Sequence, residues 1–377
     1  MTHSLLPAVA ASRFYRHWLQ ADSPARQNQL DTLSQHTLTS LDYDALLQNE
    51  THQEIPLIRA LRRVRNLLIA TIIHRDLSGM ADLDEVVSTM TRFAEFAIRT
   101  SVAALYPELT ALHGEPLGNQ SGAPQSLIVL GMGKLGGGEL NVSSDIDLIF
   151  VYPEDGETHA TEGQRALSNH EFFARLGKRL IVALSDIVED GFVFRVDMAL
   201  RPNGASGPLV CSFNALEQYL VMHGREWERY AWIKARAITG NPADIAALEA
   251  MTMPFVYRRY LDFGAIDAIR DMHRQIRAEV QRQEKWHPDR SDNIKLGRGG
   301  IREIEFLVQV FQLIRGGRDA ILRNRSTRAM LQLLVEKRQI ESDVAVQLLE
   351  AYTFLRNLEH RLQYLDDAQT HILPPAE

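Results

Sequence analysis

Two apolar runs, Ser126–Met132 and Asp145–Tyr152, lie on either side of a glycine-rich turn, and the second begins only nine residues after Gly136. Each run has the length and composition of a short strand. The turn contains Gly131-x-Gly133-x-x-Gly136, the spacing of a dinucleotide-binding fingerprint. That fingerprint opens a crossover helix and is followed by an acidic residue about 20 positions on. The interval is too short for such a helix, and the acids here, Asp145 and Asp147, stand at the start of the second run. A Walker loop is excluded too, because Lys134 precedes the later glycines and no Gly-Lys-Ser/Thr follows. A tight connection must join the strands: a phosphate cradle placed beside two carboxylates. Gly136–Gly138 allow close backbone approach, with N–H groups directed at an anion.

At 377 residues the chain has room for two or three domains. A single cysteine, Cys211, rules out an internal disulfide and suits a reducing, cytoplasmic setting. No apolar run approaches the ~20 residues of a membrane span. Leu5–Ala11 is apolar, but no basic segment precedes it, and Phe14, Trp18 and Leu19 follow. A first helix is expected there rather than a signal sequence. A net charge of −7 argues against a general nucleic-acid binder and leaves a local basic pocket open.

The overall expectation is an α+β chain, mostly helical. Residues 1–112 read as a helical region. Glu54–Ile73 is apolar at helical spacing, and a second helix over Asp82–Leu105 opens with Asp82 as N-cap and Glu85 three positions on. Turn formers crowd His113–Pro124, which marks a domain boundary. Residues 113–280 form the second unit. In it a capping box at Ser168 and Glu171 opens a helix to Glu189, with Phe173, Leu176, Leu180, Leu184 and Ile187 on one face. Gly191–Arg201 alternates like a strand: Phe192, Phe194, Val196, Met198 and Leu200 face one way, Arg195, Asp197 and Arg201 the other. Charged helices follow around Arg225–Arg236 and Phe263–Gln283, then a linker at Lys285–Ser291 and a helical bundle over 281–377.

Asp145 and Asp147, two apart in a strand, share a face roughly 7 Å apart along the chain. Two carboxylates so placed suit hard divalent cations, and paired ions sit about 3.5–4 Å apart. Asp197, on the polar face of its own run, is the candidate third ligand. Together with the glycine turn, these acids favour metal-dependent phosphoryl or nucleotidyl transfer over turn or cap roles. Ser143 and Ser144 either donate to a phosphate oxygen or cap a turn. Lys134 is a candidate for neutralising developing charge. Arg195 and Arg201 are either phosphate ligands or structural partners of the carboxylates.

Gly131-Met-Gly-Lys-Leu-Gly-Gly-Gly-Glu-Leu-Asn-Val-Ser-Ser-Asp-Ile-Asp-Leu-Ile-Phe150 closely resembles the signature of the bifunctional glutamine synthetase adenylyltransferase/adenylyl-removing enzymes. Gly191–Asp197, Leu200–Pro202, Gly224–Tyr230, Lys234–Arg236 and Asn293–Phe306 match as well, so the resemblance covers about residues 50–377. It implies a DNA polymerase β-like nucleotidyltransferase domain with a small mixed sheet, flanked by helical domains. In that family one half removes AMP from a tyrosine of glutamine synthetase and the other attaches it. Gly136-Gly-Gly-Glu-Leu-Asn-Val-Ser-Ser-Asp-Ile-Asp147 looks like the removing half. No second copy of the motif occurs, so the chain is expected to be the N-terminal half alone. One departure is Ala199, where the family often has arginine.

The resemblance implies phosphorolysis: inorganic phosphate attacks adenylyl-tyrosine, releasing ADP and unmodified, bacterial, cytoplasmic glutamine synthetase. Asp145, Asp147 and Asp197 would hold two Mg²⁺ or Mn²⁺ ions. Gly131, Gly133, Lys134, Gly136, Gly137, Ser143, Ser144, Arg195, Arg201 and Lys295 would meet the nucleotide and phosphate. Lys295, Arg302, Glu303 and Glu305 complete the pocket or serve only as helix N-terminal packing. The rival readings are ATP-dependent adenylylation of the same tyrosine and a regulatory module silent in isolation. Further implied partners are the nitrogen-regulatory protein P-II and its uridylylated form; neither nucleic acid nor membrane is expected.

Overall fold

The computed structural model describes residues 6–21, 23–51, 55–259 and 293–374, with isolated positions 271, 274, 278 and 282. The charged segment Phe263–Gln283, apart from those positions, and the linker Lys285–Ser291 lie outside the described residues. The described chain is mostly helical with two small sheets, an α+β arrangement. Among the described residues no helix is long and apolar enough to cross a membrane.

The first helices are α1 (Leu6–Ala11), α2 (Arg13–Gln20), α3 (Ser23–Ser34) and α4 (Tyr43–Thr51). They pack around α5 (Leu57–Leu77), which is buried along most of its length. Helix α6 (Leu83–His113) starts as expected, with Asp82 accepting from the Glu85 N–H at 2.8 Å. The Glu85 carboxylate does not complete the capping box; it takes the guanidinium of buried Arg75 at 2.7 Å. The turn-rich stretch after α6 is partly ordered as β1 (Glu115–Gly118), which pairs antiparallel with β4 (Gly156–His159).

The main sheet is mixed. Strand β3 (Ile146–Tyr152) pairs antiparallel with β2 (Ile128–Gly131), and β2 pairs antiparallel with β7 (Arg236–Ala237). On its other edge β3 runs parallel to β5 (Val196–Asp197) at its start and to β6 (Val210–Ser212) at its end. Period-2 alternation splits β3 between two apolar cores. Ile146, Leu148, Phe150 and Tyr152 join α6 and α8 (Asn169–Ser185), whereas Ile149 and Val151 join α9 (Phe213–Met222), α10 (Glu226–Trp232) and α11 (Pro242–Val256). A third core joins α12 (Ile301–Arg315), α13 (Thr327–Glu336) and α14 (Ser342–Tyr364).

Two expected elements differ. The helix opened by Ser168 ends at Ser185, and Ile187, placed on its apolar face by the sequence, is 81% exposed. The strand expected over Gly191–Arg201 shrinks to Val196–Asp197. The N–H groups of Val193 and Phe194 both donate to the Leu184 carbonyl, capping α8, and both side chains are buried. Pairing with β3 begins only where the Ile146 N–H reaches the Arg195 carbonyl at 2.9 Å.

Candidate active site

The face of β3 that buries Ile149 and Val151 further along carries Asp147 at its start, with Asp145 just ahead of the strand, where the second core gives way to a cavity of about 690 Å³. Asp147 and Asp197 stand directly opposite each other in the parallel β3–β5 pairing. All three aspartates line the cavity, together with Gly133, Lys134, Ser144 and Lys295. The rest of the wall comes from Leu200 and from distant segments: Trp227, Tyr230, Ala231 and Lys234 at α10, Arg302, Glu305 and Gln309 on α12, and Gln369.

The glycine turn is built for close packing. After β2 the chain makes the single helical turn α7 (Gly133–Gly136). Gly133 has φ +52, and a Cβ there would meet the Asp147 carboxylate at 3.0 Å. A Cβ on Gly136 would lie 1.7 Å from the Lys234 carbonyl oxygen, so only glycine lets the two backbones meet.

Burial, then Asp197 and Asp145, push the Asp147 carboxyl up to about 6, against the pull of Lys295 and Lys134. Such a carboxylate favours a cation beside it. The donor set, three carboxylates at one mouth, fits a hard divalent ion in chemistry. As placed, the side chains are not closed on one point: among the described residues no three His, Cys, Asp or Glu groups converge as ligands. Arg195 holds Asp145 at 2.6 Å, and Asp197 accepts from the Ala199 N–H at 2.7 Å.

Several residues expected to meet the phosphates do not line this cavity. Gly131 lies within β2, Gly136 is packed on Lys234, and Gly137 faces a separate cavity shared with Glu139 and Arg328. Ser143 is buried, its N–H donating to Gln363 and its carbonyl accepting from Arg195. Arg195 therefore works as a partner of Asp145 and the loop backbone. Arg201 donates to the Met198 carbonyl at 2.7 Å and braces its own turn. Lys134 does line the cavity, but its ammonium is bound to both oxygens of Glu359 on α14, at 2.7 and 2.9 Å. Burial lowers Lys134 to about 8, with Glu359 opposing the shift.

A buried ionic layer behind the loop has no local signal in the sequence. Lys234 donates to Glu139 and Thr327, and Glu139 also accepts from Ser326. Arg356 reaches the Glu139 carbonyl and the Asn141 side chain. The charged letters of α14 were visible, but nothing local tied them to a loop over 200 positions away.

The cavity thus brings three carboxylates together with the cationic side chains of Lys134, Lys295 and Arg302. Residues 2–251 match the family model described as glutamate-ammonia ligase adenylyltransferase, and residues 270–377 match one described as GlnD PII-uridylyltransferase. The chain belongs to the glutamate-ammonia ligase adenylyltransferase family. It is 59% identical over 339 residues to a protein of Ralstonia nicotianae, covering 86% of this chain and 35% of that protein. It is 55% identical to a relative in Chromobacterium violaceum, with 96% and 39% covered, and 53% identical to one in Aromatoleum aromaticum, with 99% and 39% covered. All three are named bifunctional glutamine synthetase adenylyltransferase/adenylyl-removing enzyme. The chain thus spans less than two fifths of the length of each of these relatives.

Proposed function

We propose that this chain removes AMP from an adenylylated tyrosine of glutamine synthetase by phosphorolysis, on a DNA polymerase β-like nucleotidyltransferase fold. The observation that carries the reading is the set Asp145, Asp147 and Asp197 at one end of β3, facing Lys295 and Arg302 across a single cavity. The removing direction is supported by the wording Gly136-Gly-Gly-Glu-Leu-Asn-Val-Ser-Ser-Asp-Ile-Asp147, which resembles the removing half of the family.

A phosphate oxygen attacks the phosphorus of adenylyl-tyrosine, the P–O bond to the tyrosine breaks, and the phenolate takes up a proton. The products are ADP and unmodified tyrosine. Asp145, Asp147 and Asp197 are the residues that would hold Mg²⁺ or Mn²⁺, which when bound neutralise phosphoryl charge and stabilise the departing phenolate. Lys295 and Arg302 offer positive charge to the incoming phosphate. Lys134, tied to Glu359, holds the loop and contributes charge at the cavity wall. Ser144 presents a hydroxyl at the same wall. The residues bind, orient and neutralise; no covalent intermediate with the chain is needed.

The test is to incubate adenylylated glutamine synthetase with the chain, Mg²⁺ and phosphate, and to measure ADP. Release of ADP that depends on phosphate, and falls at least about 100-fold in Asp147→Asn, is expected. Silence with phosphate but pyrophosphate release with ATP would instead establish the opposite, adenylylating direction. P-II and its uridylylated form are proposed as regulators of the reaction; one match to a PII-uridylyltransferase model supports the link.

A further inference from the structure

Helix α10 divides its sides cleanly. Glu228, Arg229 and Trp232 are buried: Glu228 accepts from the Tyr219 hydroxyl at 2.6 Å and from the Arg225 N–H at 2.9 Å, and Arg229 bonds Glu226 at 2.8 Å. The other side, Trp227, Tyr230 and Ala231, with Lys234 just beyond, recurs at i, i+3, i+4 and i+7 and lines the cavity. Leu200 joins this wall. The cavity lining therefore combines charged side chains, the three aspartates with Lys295, Arg302 and Glu305, with two aromatic rings. Tyr230 is held by Phe306, their rings 5.6 Å apart, whereas Trp227 is 41% exposed.

We propose that Trp227 is the platform on which the purine base of the nucleotide stacks, with Tyr230 and Ala231 completing the base subsite. The inference rests on the nucleotidyl reading above and names the subsite that reading leaves open. A nucleotide needs the same two kinds of partner: cations for its phosphate and an apolar face for its flat base. A large indole left half in water beside a phosphate site gains most by covering that face with a ring, and base–aromatic stacking is worth about 1–3 kcal/mol. By the free-energy conversion of about 1.4 kcal/mol per tenfold, that is roughly 5- to 100-fold in affinity.

The experiment uses the 377-residue chain with two probes, AMP and ribose 5-phosphate, which shares the phosphate and sugar but has no base. Binding is measured by calorimetry and by tryptophan fluorescence. AMP is expected to quench the fluorescence of the wild-type chain. Trp227→Ala should weaken AMP roughly 5- to 100-fold while leaving ribose 5-phosphate unchanged. Trp227→Phe keeps a stacking ring and should retain AMP affinity within about threefold while losing the quench. Equal AMP affinity in wild type and Trp227→Ala, or equal weakening of both probes, overturns the subsite and leaves the nucleotidyl reading standing. Binding of neither probe by the wild-type chain overturns both.

Discussion

Lys134 and Glu359 show how single side chains join the site to the remainder of the chain. Glu359 has 0% exposure and also meets Arg356 and His371. Burial alone would raise its carboxyl, but Lys134, His371 and Arg356 hold it well below the usual carboxylate range. An ionised group this deep is stable only while its partners remain. Glu359→Gln is therefore expected to cost about 3–5 kcal/mol in urea unfolding. Lys134→Met and Glu359→Gln combined should cost clearly less than the sum, with a coupling of about 1 kcal/mol or more; strict additivity would refute the pairing. Asp147 behaves in the opposite way, because its neighbours are acids. Mn²⁺ should raise the melting temperature of the wild-type chain by stabilising the bound form, and the same addition to Asp147→Asn should leave it nearly unchanged. Equal shifts in both would place the ion elsewhere.

Among the elements, the α7 turn and helix α14 carry the most consequence. Gly136→Ala forces a carbon into the Lys234 carbonyl, which is backbone and cannot swing aside. A loss of about 2 kcal/mol or more, with Lys234 displaced from the cavity, is expected from thermal melting and activity together. Helix α14 docks through His360, which is fully buried with Nε2 3.1 Å from the Asn141 oxygen. Burial, and then Arg356, depress its imidazole to about 3. The folded chain keeps it neutral, whereas the unfolded chain binds a proton near the usual pKa of about 6.5. Its contribution to stability is complete above about pH 6.5 and is lost as pH falls toward 3. Unfolding free energy should fall by about 1–2 kcal/mol between pH 7 and 5 from this group, and His360→Gln should flatten that slope. The same elements show what was legible in the sequence. Helices α5 and α6 were readable because apolar spacing and the Asp82 cap are local signals. Gly191–Arg201 misled because Phe192, Phe194, Val196, Met198 and Leu200 alternate like a strand, while the N–H groups of Val193 and Phe194 serve the end of α8. Alternation reports burial on two sides, and a capping turn can produce it too.

For the whole molecule, Asp145, Asp147 and Gly133 were legible because one strand and one turn place them, and Asp197 because a second strand pairs beside the first. Of the other walls, the resemblance pointed to Lys295, Arg302 and Glu305, and the rest had no local signal. Trp227, Lys234, Gln309 and Gln369 reach the cavity only when α10, α12 and the chain after α14 have packed against the sheet. Glu139 and Arg356 meet across 217 positions, a separation that no periodicity encodes. The site is thus assembled by all three cores: the first holds β3 from behind, the second supplies α10, and the third brings α12 and α14 over the glycine loop. The chemistry proposed for that assembly is decided most directly by following the phosphorus atom. Glutamine synthetase radiolabelled at its adenylyl phosphorus, incubated with the chain, Mg²⁺ and unlabelled phosphate, should lose its label into ADP, with none appearing as AMP or ATP. Label that stays on glutamine synthetase, or leaves as AMP, contradicts the account.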